Sequence, residues 1–181
     1  MRPAVFFDRD GVINEGVDRG PEFKIRGKKV RLTAPWSLEE LVIDRLAAKV
    51  IRTVQEMGYL AILATNQPDV QLGLLPEDTH RAIQSRVAEL GFDDIFVCKH
   101  HPDDGCECRK PKPGMLLAAA KKWDIDLQCS FFVGDTDKDI GAAAAAGCSS
   151  VLRRRPYNHD LAAKFVIEGL DELPHCIPNR A

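Results

Sequence analysis

Short apolar runs alternate with segments of helical length along this chain, and this alternation limits its fold more than any other feature. The runs are AVFF, LAIL, IFV, SFFV and SSVL, each bounded by polar residues or glycine. Uninterrupted apolar runs this short are typical of strands that are buried on both faces of a sheet. Strands that alternate with helices predict an α/β fold, with a mainly parallel sheet between two layers of helices.

Helix signals fill the intervals between these runs. Pro76 stands near the first turn of one candidate helix, and Gly147 follows another in the position of a left-handed C-cap. Acidic residues open the segment DKDIGAAAAA, where they match the positive end of the helix dipole. The expected helices cover residues 44–57, residues 76–90, an interval that begins at Pro113, and residues 137–146.

Length and charge limit the kind of protein. A chain of 181 residues, 45% of them apolar, is long enough for one well-buried core, so we expect a single domain over residues 1–181. The 25 basic and 27 acidic side chains leave a formal charge of −2, which argues against a nucleic-acid partner. Because no apolar run approaches the ~20 residues of a membrane span, we expect a soluble, cytoplasmic monomer with no membrane partner.

One segment departs from the alternation. Residues 15–41, EGVDRGPEFKIRGKKVRLTAPWSLEEL, are too long for an ordinary connection between a strand and a helix. Loops of this length are often functional. Two interpretations stay open: a solvated loop with a basic run, or an extended loop on the substrate side that contributes Lys24, Arg26, Lys28 or Trp36 to the site.

Carboxylates follow the apolar runs where the strands are expected to end. Asp8 and Asp10 follow AVFF, Thr65 and Asn66 follow LAIL, and Asp135 follows SFFV. Parallel strands place their carboxyl ends at one edge of a sheet, where ligands bind in such folds. Like charges in a partly desolvated crevice require a cation among them, and oxygen ligands favour Mg²⁺ over zinc.

A carboxylate cluster of this kind is suited to phosphoryl transfer. With its charge offset by Mg²⁺, Asp8 can attack phosphorus as a nucleophile and form an aspartyl phosphate. Asp10 can then act as acid and base. The hydroxyl of Thr65 and the ammonium of a lysine can bind the equatorial phosphate oxygens, over which charge spreads in the transition state.

A second cluster lies in residues 98–114, CKHHPDDGCECRKPKPG. Cys98 and His100 are separated by one residue, as are Cys106 and Cys108, so each pair can turn toward a common point. Three thiolates and one imidazole complete a tetrahedron without an open position, which indicates a structural zinc. His101 is the alternative imidazole. The remaining cysteines, at positions 129, 148 and 176, are expected to be packing residues.

Two cations follow the last zinc ligand directly. A metal that fixes Cys108 would also fix the direction of Arg109 and Lys110, and two nearby prolines would stiffen the chain beyond them. Lys110 would contact the transferred phosphoryl group. Arg109, with its planar guanidinium, could bind another substrate oxygen or a second phosphate.

Four segments occur in an order and at a spacing that resemble the motifs of the haloacid dehalogenase-like phosphatases: FFDRDGVIN, LATNQ, CRKPKPGM and FFVGDTDKDIGAAAAAG. More narrowly, the set resembles the zinc-loop subfamily of heptose bisphosphate phosphatases and histidinol phosphatases. The resemblance covers about residues 4–152, apart from residues 15–41. It implies a three-layer α/β/α, Rossmann-like fold whose minimal cap consists of loops, together with the zinc loop.

The resemblance also implies a role for each matching residue. Asp8 is the implied nucleophile and Asp10 the general acid and base. Asp139 is implied to support the site by contacting its residues rather than the substrate. The implied phosphate-binding groups are Thr65, the amide of Asn66 and Lys110. The implied metal ligands are Asp8, Asp135 and the backbone carbonyl of Asp10 for Mg²⁺, and Cys98, His100, Cys106 and Cys108 for zinc.

Two positions depart from the family pattern. Gln71 stands where a cation is expected, and Thr136 stands where heptose enzymes often have lysine, with Lys138 two positions later. Both differences weaken the expectation of a substrate with two phosphates. The run of arginines at positions 153–155 could supply the missing charge, but we interpret it as a solvated surface run.

The sequence therefore predicts a Mg²⁺-dependent phosphomonoester hydrolase with a structural zinc, acting on a small phosphorylated metabolite. A heptose bisphosphate is the first candidate substrate, and histidinol phosphate is the second. A non-catalytic module that binds or senses phosphate is the alternative from another class. Asp10 argues against that alternative, because an acid and base at this position would hydrolyse the phosphorylated intermediate.

Overall fold

Buried apolar residues form the strands at the centre of the fold. The computed structural model describes residues 1–180, and every residue of the AVFF and LAIL runs is buried. The strands are β1 (Ala4–Phe7), β2 (Val17–Asp18), β3 (Lys24–Ile25), β4 (Lys28–Lys29), β5 (Leu32–Thr33), β6 (Leu60–Asn66), β7 (Asp94–Cys98), β8 (Phe131–Gly134), β9 (Ser149–Arg153) and β10 (Phe165–Ile167). The α-helices are α1 (Ala47–Glu56), α2 (Glu77–Ala88), α3 (Gly114–Trp123), α4 (Asp137–Ala146) and α5 (Leu173–Cys176).

Six strands form one parallel sheet in the order β10-β9-β8-β1-β6-β7. In the register of the central strand, Phe7 lies opposite Leu63 of β6 on one side and Val133 of β8 on the other. Strands β1, β6 and β8 therefore end at the same edge of the sheet. The residues that follow them meet at this edge.

Alternate residues of β1 pack into two separate cores, one on each face of the sheet. Val5 and Phe7 pack with residues of α1, α2 and α5. Ala4 and Phe6 pack with residues of α3 and α4. Successive side chains of a strand point to opposite faces, and helices cover both faces here. The predicted three-layer α/β/α architecture is therefore confirmed.

Helix predictions were correct in kind and differ at the ends. Helix α4 covers residues 137–146 as predicted, and Gly147 ends it in the left-handed conformation, with φ of 82°. Helices α1 and α2 are shorter than the predicted intervals 44–57 and 76–90. Residues at helix ends belong to caps and turns, which apolar spacing does not delimit.

Two features of the parallel sheet were not predicted. Strand β6 continues beyond LAIL, so that Thr65 and Asn66 are its last residues rather than the residues after it. Strand β10 extends the sheet beyond β9. Its three residues form the edge of the sheet and include the exposed Val166, so they carry no continuous apolar signal.

Residues 15–41 are structured. Strands β2 and β5 form one small antiparallel sheet, and β3 and β4 form another. The guanidinium of Arg19 stabilises the segment by two contacts with Glu40, at 2.6 and 2.7 Å, and by stacking 4.0 Å from the ring centre of Trp36. The indole nitrogen of Trp36 donates to Asp69 Oδ2 at 3.1 Å, which ties the segment to the loop after β6.

The helices described within residues 1–180 are all too short or too polar to span a membrane.

Candidate active site

Three buried carboxylates meet at the carboxyl edge of the sheet. Asp8 follows β1, Asp135 follows β8, and Asp139 lies in the first turn of α4. Each of these residues offers a carboxylate oxygen within 4.8 Å of the others. The expected convergence of Asp8, Asp10 and Asp135 is confirmed for Asp8 and Asp135 only, and the third member of the cluster is Asp139 rather than Asp10.

Lys110 is the cation of this cluster. Its Nζ atom lies 2.7 Å from Asp8 Oδ1 and 2.7 Å from Asp139 Oδ1, and its side chain is 2% exposed. Burial opposes the charge of Lys110, but the negative charges of Asp139 and Asp8 outweigh it and raise the pKa of this lysine above its ordinary value. Lys110 is therefore a fixed positive charge between two carboxylates.

One lysine does not balance three carboxylates. Burial raises the pKa of Asp8 to about 6; Lys110 opposes this shift, and Asp139 adds to it. Burial, together with the charges of Asp8 and Asp139, raises the pKa of Asp135 to about 8. Within residues 1–180, the buried Oδ1 of Asp135 has no hydrogen-bond partner. Excess negative charge with an unpartnered oxygen fits a divalent cation of the Mg²⁺ type.

Asp10 is outside the carboxylate cluster and is held by a separate set of donors. The guanidinium of Arg9 contacts it at 3.0 Å, the amide of Asn14 donates to Oδ1 at 3.0 Å, and the amide of Gln67 donates to Oδ2 at 2.6 Å. Arg9 is fully buried. These contacts orient the carboxylate of Asp10, and no sequence motif predicts a role for its three partners.

Gly11 is required where β1 turns away from the sheet. Its φ is +84°, and a β carbon at this position would lie 2.1 Å from Asp135 Oδ2. The N–H of Gly11 donates to the carbonyl of Asn14 at 2.7 Å. The glycine therefore allows the loop after β1 to approach Asp135 closely.

The predicted phosphate-binding residues lie at the end of β6 and beside Lys110. Asn66 exchanges two hydrogen bonds of 3.1 Å with the backbone of Lys110, which joins β6 to the segment of that lysine. Arg109 is half-buried, and its Nη1 has no hydrogen-bond partner within residues 1–180. The hydroxyl of Thr65 is buried and accepts from the amide of Gln67 at 3.0 Å. The phosphate-binding role of Thr65 stays a prediction.

The cysteines and histidine of residues 98–114 form the second cluster. The Sγ atom of Cys98 lies 3.7 Å from that of Cys106 and 3.6 Å from Nδ1 of His100; Cys108 Sγ lies 3.5 Å from Cys106 Sγ and 3.1 Å from His100 Nδ1. A tetrahedral zinc with these ligand types has edges of about 3.5–3.8 Å. Three of the four separations lie in this range and the one between His100 and Cys108 is shorter, so the donor set suits a structural zinc, and all the thiols are free.

His101 and the other cysteines lie outside this cluster. The imidazole of His101 contacts the guanidinium of Arg26 and accepts from the backbone of Asp103. Cys148 and Cys176 pack against the two cores, as expected of packing residues. His100, rather than His101, is the imidazole that the structure brings to the thiols.

Two adjoining cavities open at the site. The first has a volume of about 430 Å³ and is lined by the carboxylate cluster, Asp10 and Lys110. The second has a volume of about 630 Å³ and is lined by the cations of residues 26, 28, 109 and 138, together with the carboxylates of residues 10, 69 and 103. Asp10, Asn66, Arg109 and Lys138 line both cavities.

The prediction that the arginines at positions 153–155 form a solvated surface run is wrong. Arg153 is buried; it donates to the carbonyl of Val12 and contacts Asp44 Oδ2 at 2.5 Å. Arg155 donates to the carbonyl of Gly11 at 2.8 Å. Arg153 and Arg155 are engaged by these protein acceptors, and neither lines the two cavities at the site.

Two neighbours of these arginines are site residues that the sequence analysis missed. The hydroxyl of Tyr157 donates to Asp135 Oδ2 at 2.5 Å, and the amide of Asn158 donates to the carbonyl of Asp135 at 2.7 Å. The segment RRRPYN has no periodic pattern. Its contact with Asp135 arises from the pairing of β8 with β9.

The fold, the carboxylate cluster and the cysteine–histidine cluster together define a class of phosphatase. Comparison with known proteins identifies this class. Residues 18–147 match the sequence profile of the haloacid dehalogenase-like hydrolases. The chain belongs to this family, and it is a phosphatase that hydrolyses phosphoric monoesters.

Several similar proteins within the family are named for one sugar substrate. The chain is 35% identical to the D-glycero-β-D-manno-heptose-1,7-bisphosphate 7-phosphatase of Yersinia pestis, over 98% of this chain and 96% of that protein. It is 37% identical to the protein of the same name from Pseudomonas putida, over 82% and 80% of the two chains. A crystal structure of the D,D-heptose 1,7-bisphosphate phosphatase from B. bronchiseptica, complexed with magnesium and phosphate, superposes with a TM-score of 0.78 at 30% identity, over 96% and 97% of the two chains.

Proposed function

We propose that this phosphatase hydrolyses a sugar bisphosphate, D-glycero-D-manno-heptose 1,7-bisphosphate, by a Mg²⁺-dependent reaction through an aspartyl phosphate on Asp8. The observation that carries the substrate assignment is the cationic cavity next to the carboxylate cluster. Its four cations outnumber its three carboxylates. A second anionic group on the substrate would therefore find a favourable charge beside the reacting phosphate.

The second cavity also offers substitutes for the cations that the sequence lacks at positions 71 and 136. Gln71 is exposed and does not line either cavity. Thr136 donates its hydroxyl to Asp139 Oδ2 at 2.6 Å, so it serves the carboxylate cluster. Lys138 and Arg109 line both cavities and are placed to reach the second phosphate.

The proposed zinc ligands and two of the proposed Mg²⁺ ligands belong to the two clusters, and the third Mg²⁺ ligand is the one that the family resemblance implies. Asp8, Asp135 and the backbone carbonyl of Asp10 would hold Mg²⁺, and Asp139 would support the site through its contact with Lys110. When bound, Mg²⁺ supplies positive charge that offsets the repulsion between the carboxylate of Asp8 and the phosphate. The donor set Cys98, His100, Cys106 and Cys108 holds the structural zinc.

Asp8 and Asp10 carry out the chemical steps of the proposed reaction. The carboxylate of Asp8 attacks phosphorus, the bond from phosphorus to the sugar oxygen breaks, and Asp10 donates a proton to that oxygen. Asp10 then removes a proton from water, whose oxygen attacks the phosphorus of the aspartyl phosphate. Inorganic phosphate leaves, and the carboxylate of Asp8 is restored.

The cations and amides hold the phosphoryl group during transfer. Lys110 carries a fixed charge 2.7 Å from Asp8 Oδ1, which is suited to the charge that spreads over the equatorial oxygens. Thr65 and the backbone amide of Asn66 complete the phosphate site. The unpartnered Nη1 of Arg109 supports a role in binding a further substrate oxygen.

The two loop segments form the substrate side of a single domain over residues 1–181. Arg26 and Lys28 of residues 15–41 line the second cavity together with Pro102 and Asp103 of residues 98–114. Arg26 Nη1 approaches Asp103 Oδ2 at 3.5 Å, so the two loops meet beside this cavity. Zinc bound by the cysteines and His100 of residues 98–114 would hold this loop in place and so position Arg109 and Lys110.

The proposed setting is the cytoplasm, with the enzyme acting as a monomer on a small phosphorylated metabolite. Free thiols that serve as metal ligands fit a reducing compartment. Neither nucleic acid nor membrane is a proposed partner. The formal charge of −2 supports this assignment, because phosphate-backbone binding relies on a cationic surface.

A panel of phosphate esters tests the substrate assignment. The panel contains the heptose bisphosphate, other sugar phosphates, nucleotides and histidinol phosphate, and inorganic phosphate release is measured with Mg²⁺ present. We expect the highest kcat/KM for the heptose bisphosphate. A strong preference for histidinol phosphate would refute the sugar assignment, and no release from any ester would leave the non-catalytic phosphate-binding module.

A single substitution tests the second phosphate site. Lys138→Met should raise KM more for the bisphosphate than for a sugar that carries only the transferred phosphate, because the second phosphate adds a contact with this cation. Lys121→Met is the matched control, since Lys121 is an exposed lysine of α3 that lines neither cavity. Equal KM changes for the two substrates would contradict the role of Lys138.

A further inference from the structure

The segment after β9 contacts both halves of the carboxylate site. Arg155 donates to the carbonyl of Gly11 at 2.8 Å, on the loop that carries Asp8 and Asp10. Asn158 is buried, and its amide donates to the carbonyl of Asp135 at 2.7 Å and to that of Arg153 at 3.0 Å. The segment after β9 therefore holds the backbone of Asp135 in place.

The side chain of Asp135 is fixed from the same segment. Its Oδ2 accepts from the hydroxyl of Tyr157 at 2.5 Å, while its Oδ1 is buried and has no hydrogen-bond partner within residues 1–180. The terminal torsion of an aspartate is broad, so a carboxylate does not choose its own orientation. The hydroxyl of Tyr157 distinguishes the two oxygens of Asp135 and leaves Oδ1 for a cation.

Gly11 provides the space for this arrangement. A β carbon on Gly11 would lie 2.1 Å from Asp135 Oδ2 and 2.8 Å from the hydroxyl oxygen of Tyr157. The glycine, the carboxylate and the phenol thus meet at one point. Tyr157 also lines the first cavity.

We propose that Tyr157 is a positioning residue for the metal site, whose hydroxyl orients the carboxylate of Asp135 so that Oδ1 binds Mg²⁺. This inference rests on the proposed function in one respect, because it takes Asp135 as a Mg²⁺ ligand. Partners behind a metal ligand typically contribute 10–100-fold to metal affinity. Tyr157 is 45% exposed, so loss of its hydroxyl removes the contact with Asp135 without opening the core.

The test compares Tyr157→Phe with Tyr59→Phe. Both substitutions remove one phenolic hydroxyl that makes a hydrogen bond, but the hydroxyl of Tyr59 donates to the carbonyl of Pro178 at 2.8 Å, away from the carboxylate site. Mg²⁺ binding is measured by calorimetric titration of the zinc-loaded protein without substrate. We expect the Mg²⁺ Kd to rise about 10-fold or more in Tyr157→Phe and to stay within about 2-fold of wild type in Tyr59→Phe.

Kinetics separate positioning from a general structural role. In Tyr157→Phe, the Mg²⁺ concentration needed for half-maximal turnover should rise in step with Kd, and saturating Mg²⁺ should restore most of kcat. An unchanged Mg²⁺ Kd, or a loss of kcat that Mg²⁺ does not restore, would overturn the proposal.

The wild-type titration separates this inference from the proposed function. A wild type that binds no Mg²⁺ would overturn both the metal site and the role of Tyr157. A wild type that binds Mg²⁺ but does not hydrolyse the heptose bisphosphate would refute only the substrate assignment, because the titration uses no substrate.

Discussion

Replacement of Lys110 by methionine removes a cation that contacts two of the three buried carboxylates. Nζ of Lys110 lies 2.7 Å from Asp8 Oδ1 and 2.7 Å from Asp139 Oδ1, with the side chain 2% exposed. At an effective dielectric constant of about 20, each contact corresponds to about 6 kcal/mol of Coulomb energy. Desolvation of the buried charges offsets much of this. Loss of one partner from a buried ion pair costs about 3–5 kcal/mol, which is the destabilisation we expect.

The assay is urea unfolding of the zinc-loaded protein in Mg²⁺-free buffer without a chelator, since a chelator would also remove zinc. Lys112→Met is the matched control, because Lys112 is 44% exposed and pairs with Glu107 at 2.8 Å on the surface. Its loss should cost less than about 1 kcal/mol. Added Mg²⁺ should recover part of the stability of Lys110→Met by replacing the missing charge. Equal losses in both variants would refute the reasoning.

Gly11→Ala should lose Mg²⁺ binding as well as stability in the titration and unfolding assays, because its β carbon would lie 2.1 Å from Asp135 Oδ2. Gly73 is the control: its φ is +71° and the space around it is open, so Gly73→Ala should lose only about 1–2 kcal/mol of stability through backbone strain. Cys106→Ser should contain less zinc by metal analysis and show a raised KM at saturating Mg²⁺; normal kinetics from zinc-free protein would contradict the structural role of zinc. In Mg²⁺-free protein, burial raises the pKa of Asp8 to about 6 and that of Asp135 to about 8, both above the ordinary value of 3.8. Between these values and 3.8 the folded protein binds more protons than the unfolded chain, so thermal stability should fall as pH rises from about 4 to 8. A flat profile of melting temperature over this range would contradict that electrostatic account.

The layered fold was predictable because buried parallel strands carry a continuous apolar signal. The run AVFF coincides with β1, and the residues of α4 were predicted from its acidic start and the glycine after it. Strand β10 was missed because it is a three-residue edge strand. The two small sheets within residues 15–41 were missed for a similar reason, since strands of two residues have no period.

The main contacts of the site were predictable only where the site residues follow the ends of strands or where metal-binding side chains recur at short spacing. Asp8 and Asp135 meet because β1 pairs with β8, and the zinc cluster is contained in one loop. The interpretation of Arg153 was wrong because its partners, the carbonyl of Val12 and the carboxylate of Asp44, lie far away along the chain. A basic run with distant partners has the same local sequence as a solvated one.

The central claim is that Asp8 accepts the phosphoryl group. The most direct measurement is mass spectrometry of the acid-quenched Asp10→Asn variant after incubation with Mg²⁺ and an aryl phosphate, whose leaving group needs no proton. The side-chain amide of this variant cannot activate the water that hydrolyses the intermediate, so a phosphoryl group should accumulate on Asp8. Phosphate release without any covalent phosphate on Asp8, or covalent phosphate on another residue, would contradict the mechanism.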